Sequence, residues 1–170
     1  MAFYKDGIIS IPNVTGDVVI TATAVQSTEP PINLVELYGV TAGYRLSFGS
    51  GGNTEQNGYC VVGANKDVNG IIPVEVGDVF RFKGATFPTA QDTMLGYTRY
   101  KNQDGSGYTN DGLYLFDGVS NPDFNFSVAH DTGVATLTIL ATNLKPYTRF
   151  SLKCSDVSQL IITKNQEIPV

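Results

Sequence analysis

The stretch VFRFKG, residues 79–84, alternates apolar and charged side chains. Phe80 and Phe82 fall on one side of the chain, and an arginine and a lysine fall on the other. Because successive side chains of a β-strand point to opposite faces, this alternation predicts a strand with one buried face. The same pattern recurs in GYRLSFG (43–49) and RFSLKC (149–154), so we expect further half-buried strands on both sides of it.

Other short runs are apolar at consecutive positions, which predicts central strands buried on both faces. These runs are GYCVVG (58–63), LYLFDG (113–118), VATLTILA (134–141) and QLIIT (159–163). Turn-forming residues separate the runs, and no apolar stripe of helical spacing persists through two turns. Eight or nine strands are expected after residue 33. The predicted fold class is therefore all-β, an antiparallel β-sandwich of jelly-roll type, because a parallel sheet would need crossover helices.

An N-terminal β-hairpin is predicted ahead of the sandwich. The stretch DGIISIPNVTGDVVITATA (6–24) contains two short apolar strands joined by a polar turn, and VQSTEPPIN (25–33) follows it. Successive prolines cannot continue a β-ladder and favour a stiff, extended spacer. We assign residues 1–25 to the hairpin, 26–32 to a Pro-rich linker and 33–170 to the sandwich.

The predicted hairpin is also the candidate for self-association. A two-stranded hairpin is marginal alone in water, and its unpaired edges and apolar face invite pairing with another copy. The candidate oligomerisation residues are Ile9, Ile11, Val18 and Ile20.

The charge balance argues against nucleic acid and membrane as partners. The formal net charge is −5, and the eleven basic residues are scattered along the chain. Phosphate backbones are bound by clustered Lys and Arg, and anionic bilayers by basic segments. No run approaches the ~20 apolar residues that a membrane-spanning helix requires.

The sequence offers little that catalysis could use, so we do not expect an enzyme. His130 is the only histidine, and no nucleophile motif such as G-x-S-x-G accompanies it. Most acidic residues lie in turn tripeptides, where Asp is an ordinary turn former. Cys60 and Cys154 are expected to be small buried hydrophobes, with a bridge between them as the alternative.

No cofactor or metal site is predicted, with one alternative. The loop NQDGSGYTNDG (102–112) contains oxygen-bearing side chains of the kind that Ca²⁺ binds. It fails the helix-flanked calcium pattern because Leu113 occupies the position of the closing Glu. A plain connection is the expected reading, and Ca²⁺ is kept as the alternative.

The segment 97–116, YTRYKNQDGSGYTNDGLYLF, is the densest mixture of aromatic and polar residues in the chain. Carbohydrate sites combine aromatic faces with side chains that hydrogen-bond to hydroxyls. The candidate carbohydrate-binding residues are Tyr97, Arg99, Tyr100, Asp104, Tyr108, Asn110, Asp111 and Tyr114. The alternative is that most of these tyrosines pack within the sandwich, and the absence of Trp weakens the sugar interpretation.

Two parts of the sequence resemble phage proteins. GIISIPNVTGDVVITATA (7–24) resembles the closing two strands of Ig-like repeats in tail and surface proteins of phages and prophages of Gram-positive bacteria. GYRLSFGSGG (43–52), NGIIPVEVGDVFRFKGATF (69–87) and TRFSLKCSDVSQLIITKNQEI (148–168) resemble a module that often follows such repeats in phage tail, fibre and baseplate proteins. The middle of the chain, 88–133, departs from that family, as expected of a part that faces a variable receptor.

The resemblance implies a bacteriophage virion structural protein, a fibre or receptor-binding subunit whose C-terminal β-sandwich binds host cell-surface polysaccharide. It implies a homotrimer, attached to other virion proteins through the N-terminal segment. Such a protein would be made in the host cytoplasm and displayed on the virion exterior. A capsid-attached head fibre or decoration protein is the alternative, and a glycan-cleaving enzyme is a more remote one.

Overall fold

The computed structural model describes residues 3–5, 8–10, 30–63, 71–92, 95–143 and 145–169. The chain divides into two compact units, Met1–Pro30 and Pro31–Val170. The division falls inside the segment to which the sequence assigns a linker.

The first unit contains a short antiparallel hairpin. Strand β1 (Phe3–Lys5) pairs with β2 (Ile8–Ser10), with Phe3 opposite Ser10. This pairing differs from the predicted hairpin, whose two strands both lie within residues 6–24. Of the candidate oligomerisation residues, Ile9 lies in β2 opposite Tyr4. Ile11, Val18 and Ile20 lie outside the described residues, as does the predicted second strand.

The second unit is the predicted antiparallel β-sandwich. It begins with a single-turn helix, α1 (Leu34–Tyr38), and a 3₁₀ turn at Val157–Gln159 precedes its last strand. Eleven strands follow α1 in the described part of the chain: β3 (Val40–Leu46), β4 (Asn53–Val62), β5 (Ile72–Pro73), β6 (Val79–Lys83), β7 (Gly96–Tyr100), β8 (Gly112–Tyr114), β9 (Ser120–Asn121), β10 (Phe124–Ala129), β11 (Val134–Ile139), β12 (Tyr147–Lys153) and β13 (Ile161–Lys164).

The strands form two sheets. Sheet 1 has the order β3-β4-β12-β7-β8, and β5 pairs additionally with β12. Sheet 2 has the order β13-β6-β11-β10-β9. The chain crosses between the sheets repeatedly, so most hydrogen-bonded neighbours within a sheet are distant in sequence. None of the helices in the described ranges has the length and apolarity that a membrane crossing needs.

Aromatic rings fill the space between the sheets. Phe80 and Phe82 of β6 are fully buried, as VFRFKG predicts, and meet the ring of Phe150 on the opposite sheet. The ring centroids lie 5.2 and 5.0 Å from that of Phe150, in edge-to-face geometry. Such pairs stabilise a core by roughly 0.5–1.5 kcal/mol beyond the area they bury.

The apolar face of GYRLSFG packs away from this core. Val61 of β4 is buried with Leu46 and Phe48 in a second cluster, whereas Cys60 and Val62 belong to the main core. Because alternate residues of a strand face opposite ways, the second cluster lies on the outer face of sheet 1. The prediction that GYCVVG is buried on both faces is confirmed.

Three of the four runs that predicted central strands buried on both faces do not form such strands in the structure. LYLFDG contributes only β8, and QLIIT only β13, and each is an edge strand of its sheet. VATLTILA forms the central strand β11, but it buries one face only, with Thr136 and Thr138 partly exposed. Consecutive apolar residues therefore indicate that a strand is near the core, and tertiary pairing decides whether both faces are covered.

The stretches that carry the family resemblance contact each other in sheet 2. The Asp78 carboxylate lies 2.8 Å from Lys164 Nζ and accepts a 2.8 Å hydrogen bond from Asn165 Nδ2. It also accepts from the Glu75 backbone N–H at 2.6 Å. These side chains join the VGD turn to the end of β13, so they serve the fold of the sandwich.

Both cysteines are buried and free. Cys60 lies in β4, and Cys154 directly follows the neighbouring strand β12. Both face the core side of sheet 1. Burial first, and then the neighbouring Cys154, raises the pKa of the Cys60 thiol to about 12. The interpretation of these residues as small buried hydrophobes is confirmed.

Candidate functional site

A tight loop between β3 and β4 covers the outer face of sheet 1. Ser47 N–H donates to the Gly52 carbonyl at 2.8 Å, and Gly51 N–H donates to the Ser47 carbonyl at 2.7 Å. At the base of this loop, Phe48 packs over Gly112, where an added Cβ would lie 2.2 Å from the Cβ of Phe48. A side chain at position 112 would therefore displace the loop, which we call the 47–52 loop.

Two tyrosines from the segment 97–116 donate hydrogen bonds to backbone carbonyls of the 47–52 loop. Tyr100 Oη donates a 2.7 Å hydrogen bond to the Gly51 carbonyl and accepts one of 2.9 Å from Thr98 Oγ1. Tyr108 Oη donates to the Phe48 carbonyl, and the rings of the two tyrosines are 5.3 Å apart. Burial raises the pKa of Tyr108 to about 12, so its hydroxyl remains a neutral donor at physiological pH.

Arg149 holds the same loop from the side. It belongs to β12 and projects from the outer face of sheet 1, opposite Thr98. Its Nη1 donates to the Gly51 carbonyl at 3.2 Å, and its Nη2 donates to Asn53 Oδ1 at 2.6 Å. Nε is buried without a hydrogen-bond partner. The Gly51 carbonyl thus receives hydrogen bonds from two side chains on two strands.

Beside these contacts lies an open cleft of about 450 Å³. Sites for small-molecule ligands fall between about 300 and 1,000 Å³, so this cleft can hold a short saccharide. The lining combines the 47–52 loop, residues in or next to the four strands β4, β5, β7 and β12, and the start of the 102–112 loop: Ser50, Gly51, Gly52, Asn53, Gly63, Ile71, Tyr100, Asp104, Gly105 and Arg149.

The polar groups of the described lining can all form hydrogen bonds. They are a guanidinium, a carboxylate, an amide and two hydroxyls. Asp104 is exposed, and its Oδ1 accepts a 2.8 Å hydrogen bond from the Ser106 N–H, which fixes the carboxylate within its loop. These groups can donate hydrogen bonds to a polar ligand and accept hydrogen bonds from it.

The structure brings only part of the predicted site together. Tyr100 and Asp104 line the cleft, and Tyr108 supports its loop. Tyr97 instead lies in the main core, 1% exposed, with its ring 5.5 Å from that of Phe124. Tyr114 packs against Phe48 at 5.1 Å. The alternative interpretation of these tyrosines as packing residues therefore holds for Tyr97 and Tyr114.

Arg99 and Asp111 form an internal ion pair away from the cleft lining. Arg99 Nε and Nη2 donate to the two Asp111 carboxylate oxygens at 2.8 and 2.7 Å, and their side chains are 9% and 15% exposed. Lys145 Nζ lies 3.0 Å from Asp111, and Asp123 lies 3.2 Å from Arg99. Arg99 and Asp111 are therefore bound to each other and to partly buried neighbours, which a ligand would have to displace.

The network also sets the protonation of Asp111. Burial alone would raise the pKa of Asp111, but hydrogen bonds from Arg99 and Lys145 and their positive charges lower it below its ordinary value. Asn110, next to it, is exposed and adopts a left-handed conformation with φ of 41°. Its position is that of a turn residue rather than a cleft residue.

Sequence analysis missed the half of the cleft that lies outside 97–116. Ser50, Gly51 and Asn53 come from SGGNTEQNG, which reads as a turn, and Arg149 reads as the solvent side of RFSLKC. No spacing in the sequence joins these two segments. The one usable signal is the three glycines among the four residues after Phe48, which permit a tight loop over a sheet.

No metal centre is described. Among the residues whose placement is given, no group of three or more His, Cys, Asp or Glu could hold a metal ion. In the 102–112 loop, the polar groups bond to each other, as in the 2.7 Å contact from Asn102 Nδ2 to Ser106 Oγ. His130 is 72% exposed and lies 2.8 Å from Asp117, on the other sheet.

Comparison of the chain with protein-family models, with curated proteins and with solved structures finds no match.

Proposed function

We propose that this protein is a bacteriophage virion structural protein, a fibre or receptor-binding subunit, whose β-sandwich binds host cell-surface glycan in the cleft beside the 47–52 loop. The observation that carries the proposal is the cleft itself. Its volume suits a short saccharide, and its loop is fixed by Tyr100, Tyr108 and Arg149 before any ligand arrives. Such preorganisation lowers the entropic cost of binding.

The chemistry of the lining supports glycan as the ligand class. Each sugar hydroxyl both donates and accepts hydrogen bonds, so a sugar site needs both kinds of partner side by side. Asn53 supplies a donor, and Asp104 supplies acceptors. Tyr100 is the one aromatic residue of the described lining and is only 2% exposed, so polar contacts provide most of the recognition.

The phage part of the proposal rests on the sequence resemblance. The resembling motifs include Asp78, Lys164 and Asn165, which join β6 to β13 in this chain. A family of sandwiches with variable receptor sites would keep such fold-forming contacts and vary its loops. The first unit, Met1–Pro30, is compact by itself and suits attachment to other virion proteins. Labelling the protein in intact particles would distinguish a tail fibre from the alternative, a capsid-attached head fibre or decoration protein.

Retention on purified cell walls of Gram-positive bacteria tests glycan binding. We expect the full-length protein to bind walls of its host and Asn53→Ala to lose at least about tenfold in affinity, or about 1.4 kcal/mol. That substitution removes a cleft side chain and the partner of Arg149 Nη2. Asn57→Ala is the matched control, since Asn57 is exposed on the same strand outside the cleft. Equal retention of both variants, or no retention of the wild type on any wall, would refute the proposal.

A further inference from the structure

We infer that the cleft selects an uncharged, hydroxyl-rich saccharide, and that Arg149 acts there as a positioning residue rather than as a binding site for an anion. The inference rests on the proposed function, because it names the class of glycan that the same cleft would take. Cell walls contain both neutral polysaccharides and phosphate- or carboxylate-bearing polymers, and the arginine at first suggests the second kind. The contacts of that arginine point to the first.

The charges around the cleft balance. Among the described lining residues, Arg149 carries the one positive charge and Asp104 the one negative charge. The whole chain carries a formal net charge of −5. Sites for polyanions need an excess of positive charge to attract the ligand and to offset its desolvation. Here a ligand anion would meet the Asp104 carboxylate in the same cleft.

The guanidinium of Arg149 is already occupied by neutral acceptors. An arginine that recognises carboxylate or phosphate does so through two parallel N–H groups on one edge. The edge that includes Nε is closed, because Nε is buried. The terminal nitrogens Nη1 and Nη2 already donate to the Gly51 carbonyl and to Asn53 Oδ1. A bidentate contact through the two N–H groups that now donate to Gly51 and Asn53 would require Arg149 to release the 47–52 loop and Asn53.

Arg149 instead fixes the orientation of polar groups that a sugar would contact. Because Asn53 Oδ1 accepts from Arg149, the Nδ2 amino group remains as the donor of that exposed side chain. Asp104 contributes acceptors to the same cleft. An amide donor and a carboxylate acceptor together match a pair of neighbouring hydroxyls, whereas a phosphate or carboxylate has no proton to give to Asp104.

The test separates wall glycan that binds the full-length protein into neutral and anionic fractions by ion exchange. The inference expects retention on the neutral fraction, with less than about a twofold loss of affinity from about 0.05 to about 0.5 M salt, because screening acts only on charge pairs. Binding confined to the anionic fraction would overturn the inference and leave glycan binding intact. Binding to neither fraction would overturn the proposed function as well.

Substitution of Asp104 distinguishes a neutral ligand from an anionic one. Asp104→Asn should weaken binding of the neutral fraction about threefold or more, because an amide accepts fewer hydrogen bonds, whereas it would strengthen binding of an anionic ligand. Asp131→Asn is its control, since Asp131 is also exposed and accepts from a neighbouring backbone N–H, outside the cleft. Stronger binding of wall glycan by Asp104→Asn would overturn the inference.

Arg149→Lys distinguishes positioning from charge. Lysine keeps the positive charge but lacks the planar fork that holds Gly51 and Asn53 together. We expect Arg149→Lys to lose binding as fully as Arg149→Met while the chain remains folded by circular dichroism. Substantial binding by the lysine variant alone would show that charge is what matters, and would contradict the positioning role.

Discussion

Two arginines on neighbouring strands of sheet 1 have different roles because they face different ways. Arg99 of β7 is paired with partly buried carboxylates, whereas Arg149 of β12 projects from the outer face and holds the 47–52 loop. Their sequence surroundings, YTRY and YTRF, differ by one ring hydroxyl. Sequence analysis assigned Arg99 to the site and left Arg149 out. The distinction depends on register and on a loop that folds over one face, and neither is encoded in local spacing.

Asp111→Asn should destabilise the sandwich by about 3 kcal/mol at pH 7, because the buried guanidinium of Arg99 loses its bidentate partner and keeps only Asp123. Urea denaturation measures this, with Asp131→Asn expected to change stability by less than about 0.5 kcal/mol. The pKa of Asp111 is lowered by folding, so its contribution is present above its unfolded pKa of about 4 and is lost as the pH falls below that value. The difference in the free energy of unfolding between Asp111→Asn and the wild type should therefore become smaller in acid. A variant as stable as the wild type at pH 7 would contradict the assigned role of the pair.

The native thiols should resist modification. With both cysteines buried and the pKa of Cys60 raised to about 12, little thiolate is available at pH 8. A chromogenic disulfide reagent should react slowly with the folded protein and should titrate two thiols at once in urea. Rapid reaction in the native state, or no free thiol in urea without reductant, would contradict this placement.

At the scale of elements, the half-buried strands were predictable and the loops that build the cleft were not. Phe80 and Phe82 alternate with charged residues, and that pattern alone identifies β6 and its buried face. Leu46 and Phe48 follow the same pattern, yet they pack on the outer face of sheet 1, because the register shifts between Ala42 and Tyr44. The strand was therefore predicted correctly, but the bulge places its apolar face on the side of the sheet that the pattern does not indicate.

Gly112→Ala should disrupt the 47–52 loop. Its Cβ would lie 2.2 Å from the Cβ of Phe48, so the phenylalanine and the loop must shift, at about 1–3 kcal/mol. Gly49→Ala is the matched control within the loop, because a Cβ there meets nothing within 4 Å. We expect Gly112→Ala to lower both the melting temperature and glycan binding, and Gly49→Ala to change neither. Equal behaviour of the two variants would contradict the packing of Phe48 against β8.

At the scale of the whole molecule, the chain divides into two compact units. The main core of the sandwich lies entirely after Pro31, so this unit contains the contacts that hold its sheets together. The prediction of an all-β sandwich followed from strand alternation and turn spacing. Assembly with other copies depends on surfaces that alternation does not reveal, and it stays a prediction.

Deleting residues 1–30 should convert a homotrimer into a folded monomer. Light scattering at micromolar concentration measures the mass of each form, and circular dichroism follows the fold. We expect the truncated chain to keep its melting temperature within a few degrees, since its core is complete. A monomeric full-length protein would contradict the proposed trimer, and an unfolded truncated chain would contradict the independence of the second unit.

Amide chemical shifts of the isotopically labelled full-length protein, recorded while the neutral wall saccharide is added, test the central claim most directly. We expect the largest saturable changes in amide chemical shift at four residues that line the cleft on the outer face of sheet 1: Gly51, Gly52, Asn53 and Gly105. Largest shifts at the opposite sheet, for example at Asn125 and Ser127 of β10, would contradict the assignment of this cleft as the glycan site.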